Sequence, residues 1–324
     1  MAKGDDLARR LAGGEIIVLD GAVSTELQRR GVPVDRVSWF GSANIDHIDA
    51  VQALHEDYIR AGAEVVIANT HSTSRAGLEP AGLGDRVEEL NRRAVTAAIR
   101  ARDTVGRPVA VAGSISSFIP AAMGLDDHTD LRGLATYREQ ATILADAGVD
   151  VLALEMMDST SYGMAAIEAA TETGLPVWLG MSPVRFPSGR LGTYSADKPC
   201  IMPDEDPDAP DAFQQLVEAY AGVHPRLAAV FLMHVTLDVV HDALAIVRGH
   251  FPDSPVGVYA EVGEYHAPNW VFDDEVTPER YLREARAWAD AGVQLIGGCC
   301  GTGPDHVRGL AGGLPKHVPA RREA

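Results

Sequence analysis

Residues 134–155 read LATYREQATILADAGVDVLALE. Leu134, Tyr137, Ala141 and Leu144 recur at helical spacing. Ala147-Gly148-Val149 follows, and a glycine just past the last turn is a preferred helix ending. The remainder, VDVLALE, is a short and nearly unbroken apolar run, the signature of a strand buried on both faces. One helix, one glycine joint and one buried strand therefore stand in direct succession.

The same unit recurs along the chain. Ala61-Gly62-Ala63 precedes VVIAN at 65–69, and Ala291-Gly292-Val293 leads into QLIGGCC at 294–300. Strand-like runs also occupy 16–20 (IIVLD), 109–114 (VAVAGS), 177–181 (VWLGM), 228–234 (AAVFLMH) and 256–261 (VGVYAE). Amphipathic segments lie at 50–61, 86–105, 134–147, 165–173, 212–221, 237–248 and 278–291. Strands alternating with helices imply a parallel α/β fold. An open, doubly wound sheet shares this local pattern, but eight strands favour a closed (β/α)8 TIM barrel. No composition shift marks a linker, so residues 1–324 are read as one domain. The aperiodic stretches 185–210 and 259–277 follow strands and belong on the C-terminal face, where such loops carry function.

Composition narrows the function. The chain has 324 residues, 46% hydrophobic and 23% charged, which excludes a disordered or fibrous protein. Its 28 basic and 46 acidic residues give −18 at pH 7, which argues against nucleic acid or an anionic membrane as partner. No uncharged apolar run reaches a bilayer-spanning length, and the first residues lack a signal-peptide core, so a cytoplasmic protein is expected. A homo-oligomer is compatible with the sequence and not specified by it. Cys200, Cys299 and Cys300 are too few for a disulfide framework.

In a barrel, polar residues at strand C-terminal ends are the candidates for chemistry. They include Asp20, Asn69, Thr70, His71, Ser114, Ser116, Glu155, Ser182, His234, Glu261 and the pair Cys299-Cys300. Vicinal cysteines rarely bond to each other, but two thiols at one strand end can hold one zinc-like ion. The glycines of GGCCGTGP (297–304) let both sulfurs turn toward the same point. A third ligand is needed, and both Cys200 and His234 are candidates.

At these residues the chain resembles the homocysteine S-methyltransferase family, zinc-dependent thiol methyltransferases of (β/α)8 fold. The resemblance runs from LDGAVSTEL (19–27) and Trp39 through His55–Tyr58 to Asn69-Thr70-His71. It continues through Gly113-Ser114-Ile115, Leu154-Glu155-Met156-Met157, Pro176–Leu179 and Gly192-Thr193-Tyr194 to the intact GGCCGTGP. It implies Zn²⁺ as cofactor, with Cys299 and Cys300 as ligands. It implies small-molecule partners, a thiol acceptor and a methyl donor. Asp20 and Glu155 would act on the acceptor's amino group. Gly21, Trp39, Asn69 and Thr70, with Ser114, Tyr259 and Glu261, complete the expected substrate site.

Three departures from the family pattern fall at the barrel mouth. His234 stands where the family has its first zinc-ligating cysteine, and is expected to replace it. Glu261 replaces an asparagine and is itself a candidate ligand. Ile115–Phe118 lacks the usual Gly-Pro. Two thiolates and a neutral imidazole leave Zn²⁺ formally uncharged, against −1 for three thiolates. A chain of this length leaves no room for folate and cobalamin modules, so a free sulfonium donor such as S-methylmethionine or S-adenosylmethionine is expected. Trp39, Phe40, Tyr194, Tyr259 and Tyr265 are candidate rings for it, contributing ~0.5–2 kcal/mol of cation–π attraction, though packing is the better reading of Phe40. Glu264 would add negative charge. A zinc-assisted lyase or hydrolase using His234 or Glu261 as acid/base is the alternative activity, and a non-catalytic zinc or ligand binder is a third.

Overall fold

The computed structural model describes residues 3–35, 37–117, 133–194, 212–223, 226–266, 269–271 and 276–319. Eight parallel strands form its centre: β1 (Ile17–Val18), β2 (Val65–Ile67), β3 (Ala110–Ser116), β4 (Val151–Glu155), β5 (Val177–Met181), β6 (Ala229–Met233), β7 (Val256–Ala260) and β8 (Leu295–Gly298). Each lies within one of the eight apolar runs or, for β3, reaches two residues beyond it. Neighbours in space follow neighbours in sequence from β2 round to β8, and β8 then pairs with β1. A parallel bridge between Leu19 and Val65 completes the circle, with Asp20 N–H donating to Val65 O at 3.1 Å. The closed (β/α)8 barrel is therefore present, and the open sheet is not.

Strand parity divides the apolar residues into two cores. Val18, Val111, Leu152, Leu154, Leu179, Val230, Leu232, Val258 and Ile296 point outward against the helices. Ile17, Leu19, Ala110, Ala112, Val151, Ala153, Trp178, Phe231, Tyr259 and Leu295 point inward. The barrel centre is filled by rings: Trp178 and Phe231 lie 5.1 Å apart, and Phe231 and Tyr259 5.3 Å apart. Small residues on β3 and β4 face them. Gly257 makes room too, since a Cβ there would stand 2.0 Å from the Phe231 ring.

Helices Ile48–Ala61, Val87–Val105, Leu134–Ala147, Thr160–Thr171, Ala212–Ala221, Val240–His250 and Pro278–Asp290 match the seven amphipathic segments to within a few residues. The alanine–glycine joints behave as the sequence implies. Gly62, Gly148 and Gly292 have φ of 123°, 94° and 88°, a region open chiefly to glycine. Helix Lys3–Ala12 closes the N-terminal end of the barrel, with Leu7 and Leu11 joining the interior cluster. The two long loops hold antiparallel hairpins, Pro183–Arg185 with Leu191–Thr193 and Glu264–His266 with Asn269–Val271.

Phe231 is the fully buried ring at the middle of the interior stack. Phe231→Ala should cost about 3–5 kcal/mol, because its strand neighbours cannot collapse into the space without breaking the ladder. Chemical denaturation measures this; a loss below about 1 kcal/mol would show that the barrel centre repacks freely.

Candidate metal centre and substrate pocket

The cysteine pair sits on a turn held from several sides. Gly298 N–H donates to Asp20 O at 3.0 Å, Cys299 N–H to Ala260 O at 2.9 Å, and Val262 N–H to Cys300 O at 2.7 Å. Thr302 Oγ1 donates back to Cys299 O at 2.6 Å, and Gly301 N–H donates to Thr25 Oγ1 at 3.0 Å. Gly301 has φ of 85°, and a Cβ there would lie 1.6 Å from Val262 O, so no side chain is admissible. These bonds fix both thiols beyond the end of β8.

His234 follows β6 and is 5% exposed. Its Nδ1 lies 3.9 Å from Cys299 Sγ and 3.8 Å from Cys300 Sγ, and the two sulfurs are 3.8 Å apart. Tetrahedral zinc, with bonds of about 2.3 Å to sulfur and about 2.0–2.1 Å to nitrogen, spaces its ligands roughly 3.8 Å (sulfur to sulfur) and roughly 3.6 Å (sulfur to nitrogen) apart. The three donor atoms thus fit one tetrahedral ion and leave a fourth position open. They are the metal-capable cluster among the described residues. One proton comes off the thiol pair readily and the other does not. The hydrogen bond shared with Cys300, aided by His234, brings Cys299 down to about 6 despite its burial, while the same shared proton holds Cys300 well above the usual thiol range.

Glu155, at the end of β4, anchors the second half of the site. Its carboxylate accepts from Ser114 Oγ at 2.5 Å and from Tyr259 OH at 3.0 Å, and pairs with His71 Nδ1 at 2.8 Å. Burial alone would raise its pKa, but His71, Ser114 and Tyr259 together hold it below the ordinary carboxylate range. Asp20 behaves oppositely. It is buried behind the pocket wall, accepts Ile67 N–H at 2.8 Å, and is pushed well above the usual range by burial and by the charge of Glu155.

One cavity of about 120 Å³ joins these parts. Gly21, Trp39, Asn69, His71, Ser114, Glu155, Tyr259, His234, Cys299 and Cys300 all line it, with Met156 and Met233. Among the described residues, three non-glycine residues have positive φ: Trp39 (54°), Met156 (55°) and His234 (45°). All three line this cavity, and such strained backbone clusters at functional sites. Trp39 is carried by a turn in which Asp35 Oδ1 accepts Ser38 N–H at 2.6 Å and Ser38 Oγ at 2.9 Å. Asn69 ties that turn to β2 by donating to Phe40 O at 3.0 Å.

Some expected residues are placed elsewhere. Thr70 does not reach the cavity: its hydroxyl donates to Ser114 O at 2.8 Å and accepts Ser114 N–H at 2.9 Å, so it locks β2 to β3. Asp20 and Glu261 are buried beside the cavity and not on its wall. Phe40 is buried edge-on against Trp39 at 5.8 Å and serves packing. Tyr194 lies against the His234 ring at 5.2 Å. Cys200, Phe118 and the side chains of Glu264 and Tyr265 lie outside the described residues. Sequence reasoning noted His71 as a strand-end residue but gave it no role. Met156 and Met233 were also missed; Met233 Sδ lies 3.4 Å from Tyr259 OH and 3.2 Å from Met156 N. The adjoining Asn-Thr-His and Glu-Met-Met triplets were the available signals.

No described helix is long and apolar enough to cross a membrane. The homocysteine S-methyltransferase family matches residues 17–314. The chain is 25% identical to selenocysteine Se-methyltransferase of Brassica oleracea var. italica, over 92% of this chain and 88% of that one. It is 27% identical to homocysteine S-methyltransferase of Escherichia coli (strain K12), over 96% of this chain and 99% of that one. Among solved structures it is similar to the metallated form of the homocysteine methyltransferase MmuM from Escherichia coli, with a TM-score of 0.69, 25% identity, and 93% and 97% of the two chains covered. These comparisons lend no support to the lyase or hydrolase alternative. With the barrel, the family's thiol pair at its mouth and a match over most of its length, this chain belongs to the homocysteine S-methyltransferase family and is a methyltransferase.

Proposed function

We propose that the protein transfers a methyl group from a small sulfonium to the sulfur of an amino-acid thiol such as homocysteine, at a zinc held by His234, Cys299 and Cys300. The observation that carries this reading is the tetrahedral spacing of those three donors on the wall that also bears Glu155. Zinc held there supplies a Lewis acid that keeps the acceptor sulfur deprotonated at neutral pH.

The chain's own residues do the rest. Glu155 is kept ionised by His71, Ser114 and Tyr259, so it is ready to bind the acceptor's ammonium group. Asp20, behind the wall and raised in part by the charge of Glu155, is relieved of that repulsion when an ammonium pairs with Glu155. Anchoring the ammonium there aims the acceptor's sulfur along the cavity toward the cysteine turn. Trp39 and Tyr259 offer ring surface to a methylated cation. The acceptor sulfur forms its bond to the methyl carbon as the methyl–sulfonium bond breaks. The bonding pair stays on the donor, which leaves as a neutral thioether.

Purified protein should carry about one zinc equivalent, and His234→Ala should lower it. Full zinc retention in that variant would remove His234 from the ligand set and make Cys200 the candidate. With homocysteine and S-methylmethionine, methionine should form; a product that appears without any thiol acceptor would sink the transferase reading.

Glu155→Gln should raise KM for homocysteine about 10–100-fold, the equivalent of one charged hydrogen bond. The same change should scarcely affect an acceptor lacking the amino group, such as 4-mercaptobutyrate. Equal losses for both thiols would show that Glu155 supports the fold of the site and does not read the ammonium.

A further inference from the structure

We infer that His71 reads the acceptor's carboxylate, yielding its place on Glu155 to the acceptor's ammonium and turning to the carboxylate beside it. This rests on the acceptor reading above and extends it, because it makes the preferred acceptor a zwitterionic amino acid and not simply an aminothiol. His71 lies past β2 and lines the cavity. Its Nδ1 stands 2.8 Å from Glu155 Oε2. The same oxygen accepts from Ser114 Oγ at 2.5 Å, and Tyr259 OH donates to Oε1 at 3.0 Å. A carboxylate offers about four lone-pair sites, so three are already taken. An ammonium that pairs closely with Glu155 therefore competes with these partners. Ser114 and Tyr259 belong to strands β3 and β7 and are buried. The His71 side chain is carried by the loop after β2 and is 26% exposed, against 8% for Glu155, so it is the partner placed to yield.

Displacement takes the ring N–H away from its acceptor, and a donor left unpaired in a half-buried wall is costly. A simple amine brings nothing to replace what it takes. An α-amino acid does, because its ammonium and carboxylate sit on one carbon and so reach two groups as close together as Glu155 and His71. Inserting the zwitterion turns one Glu155–His71 contact into two, ammonium on Glu155 and carboxylate on His71. No net charge enters the cavity and no proton has to move. The ring serves in either protonation state, since a neutral imidazole also donates one N–H. Among the described residues lining the cavity there is no lysine or arginine. Outside the metal-capable cluster, His71 is the lining side chain among them that can carry a positive charge.

Calorimetric binding of two thiols to the zinc-loaded protein, with no methyl donor present, tests the assignment. Homocysteine carries both charged groups, and 3-aminopropanethiol lacks only the carboxylate. Wild type should prefer homocysteine by about 10–100-fold, the worth of one hydrogen bond to a charged group. That preference should largely vanish in His71→Ala and in His71→Phe, which keeps a ring in the cavity wall. Homocysteine should weaken in both variants. 3-Aminopropanethiol should bind them at least as tightly as wild type, because it no longer has to displace the imidazole. A preference that survives both substitutions would overturn the inference and give the carboxylate to backbone N–H groups. Weakening of both thiols by the same factor would overturn it too, since His71 would then act solely by holding Glu155. Failure of the zinc-loaded wild type to bind homocysteine at all would instead overturn the acceptor reading itself.

Discussion

The convergence of His234, Cys299 and Cys300 depends on strand order. Imidazole and thiols are 65 and 66 residues apart in sequence, and β7 lies between their strands. They meet because a closed barrel tilts its strand ends inward over a common mouth. Closure itself hangs on a short segment. β1 is two residues long, and the Leu19–Val65 bridge joins it to β2. The bond from Gly298 N–H to Asp20 O runs through the same segment. The turn that closes the barrel thus also supports the strand end from which the cysteines project.

A second constraint is electrostatic. The pocket places two carboxylates close together in a buried setting, and they respond oppositely. Glu155 has three side-chain partners and stays ionised; Asp20 has backbone N–H groups only and resists ionisation. Removing water from a carboxylate is costly unless hydrogen bonds replace it. Ser114, Tyr259 and His71 come from three different strand ends, so the network that keeps Glu155 charged also ties the mouth together. Thr70 joins this by locking β2 to β3 beneath Ser114.

Most of the fold was legible because its signal is local. Buried parallel strands are apolar runs whatever they pair with, and the alanine–glycine joint marks where each helix stops. What escaped has a weak local signal. Helix Ser24–Arg29 is six residues, too short to show a period, and Pro304–Gly313 is diluted by glycine. Lys3–Ala12 is charged over half its length, and only its Leu7 and Leu11 reveal the barrel end it covers. The site was legible to a different depth. Cys299, Cys300, His234 and Glu155 stand at strand ends and face the cavity. Thr70 stands at a strand end too, but its hydroxyl is claimed by the neighbouring strand. His71 takes its place from a partner 84 residues away, which no spacing rule reveals.

The two departures just past β6 and β7 make more sense together than apart. Replacing a thiolate by a neutral imidazole removes one negative charge from the metal's surroundings. Replacing an asparagine by a glutamate restores one, 2.7 Å from the imidazole nitrogen. The local charge is the same as for three thiolates and a neutral amide, but it is held differently. A drifting sequence could lose either residue singly, but losing the cysteine alone would leave the site one charge short.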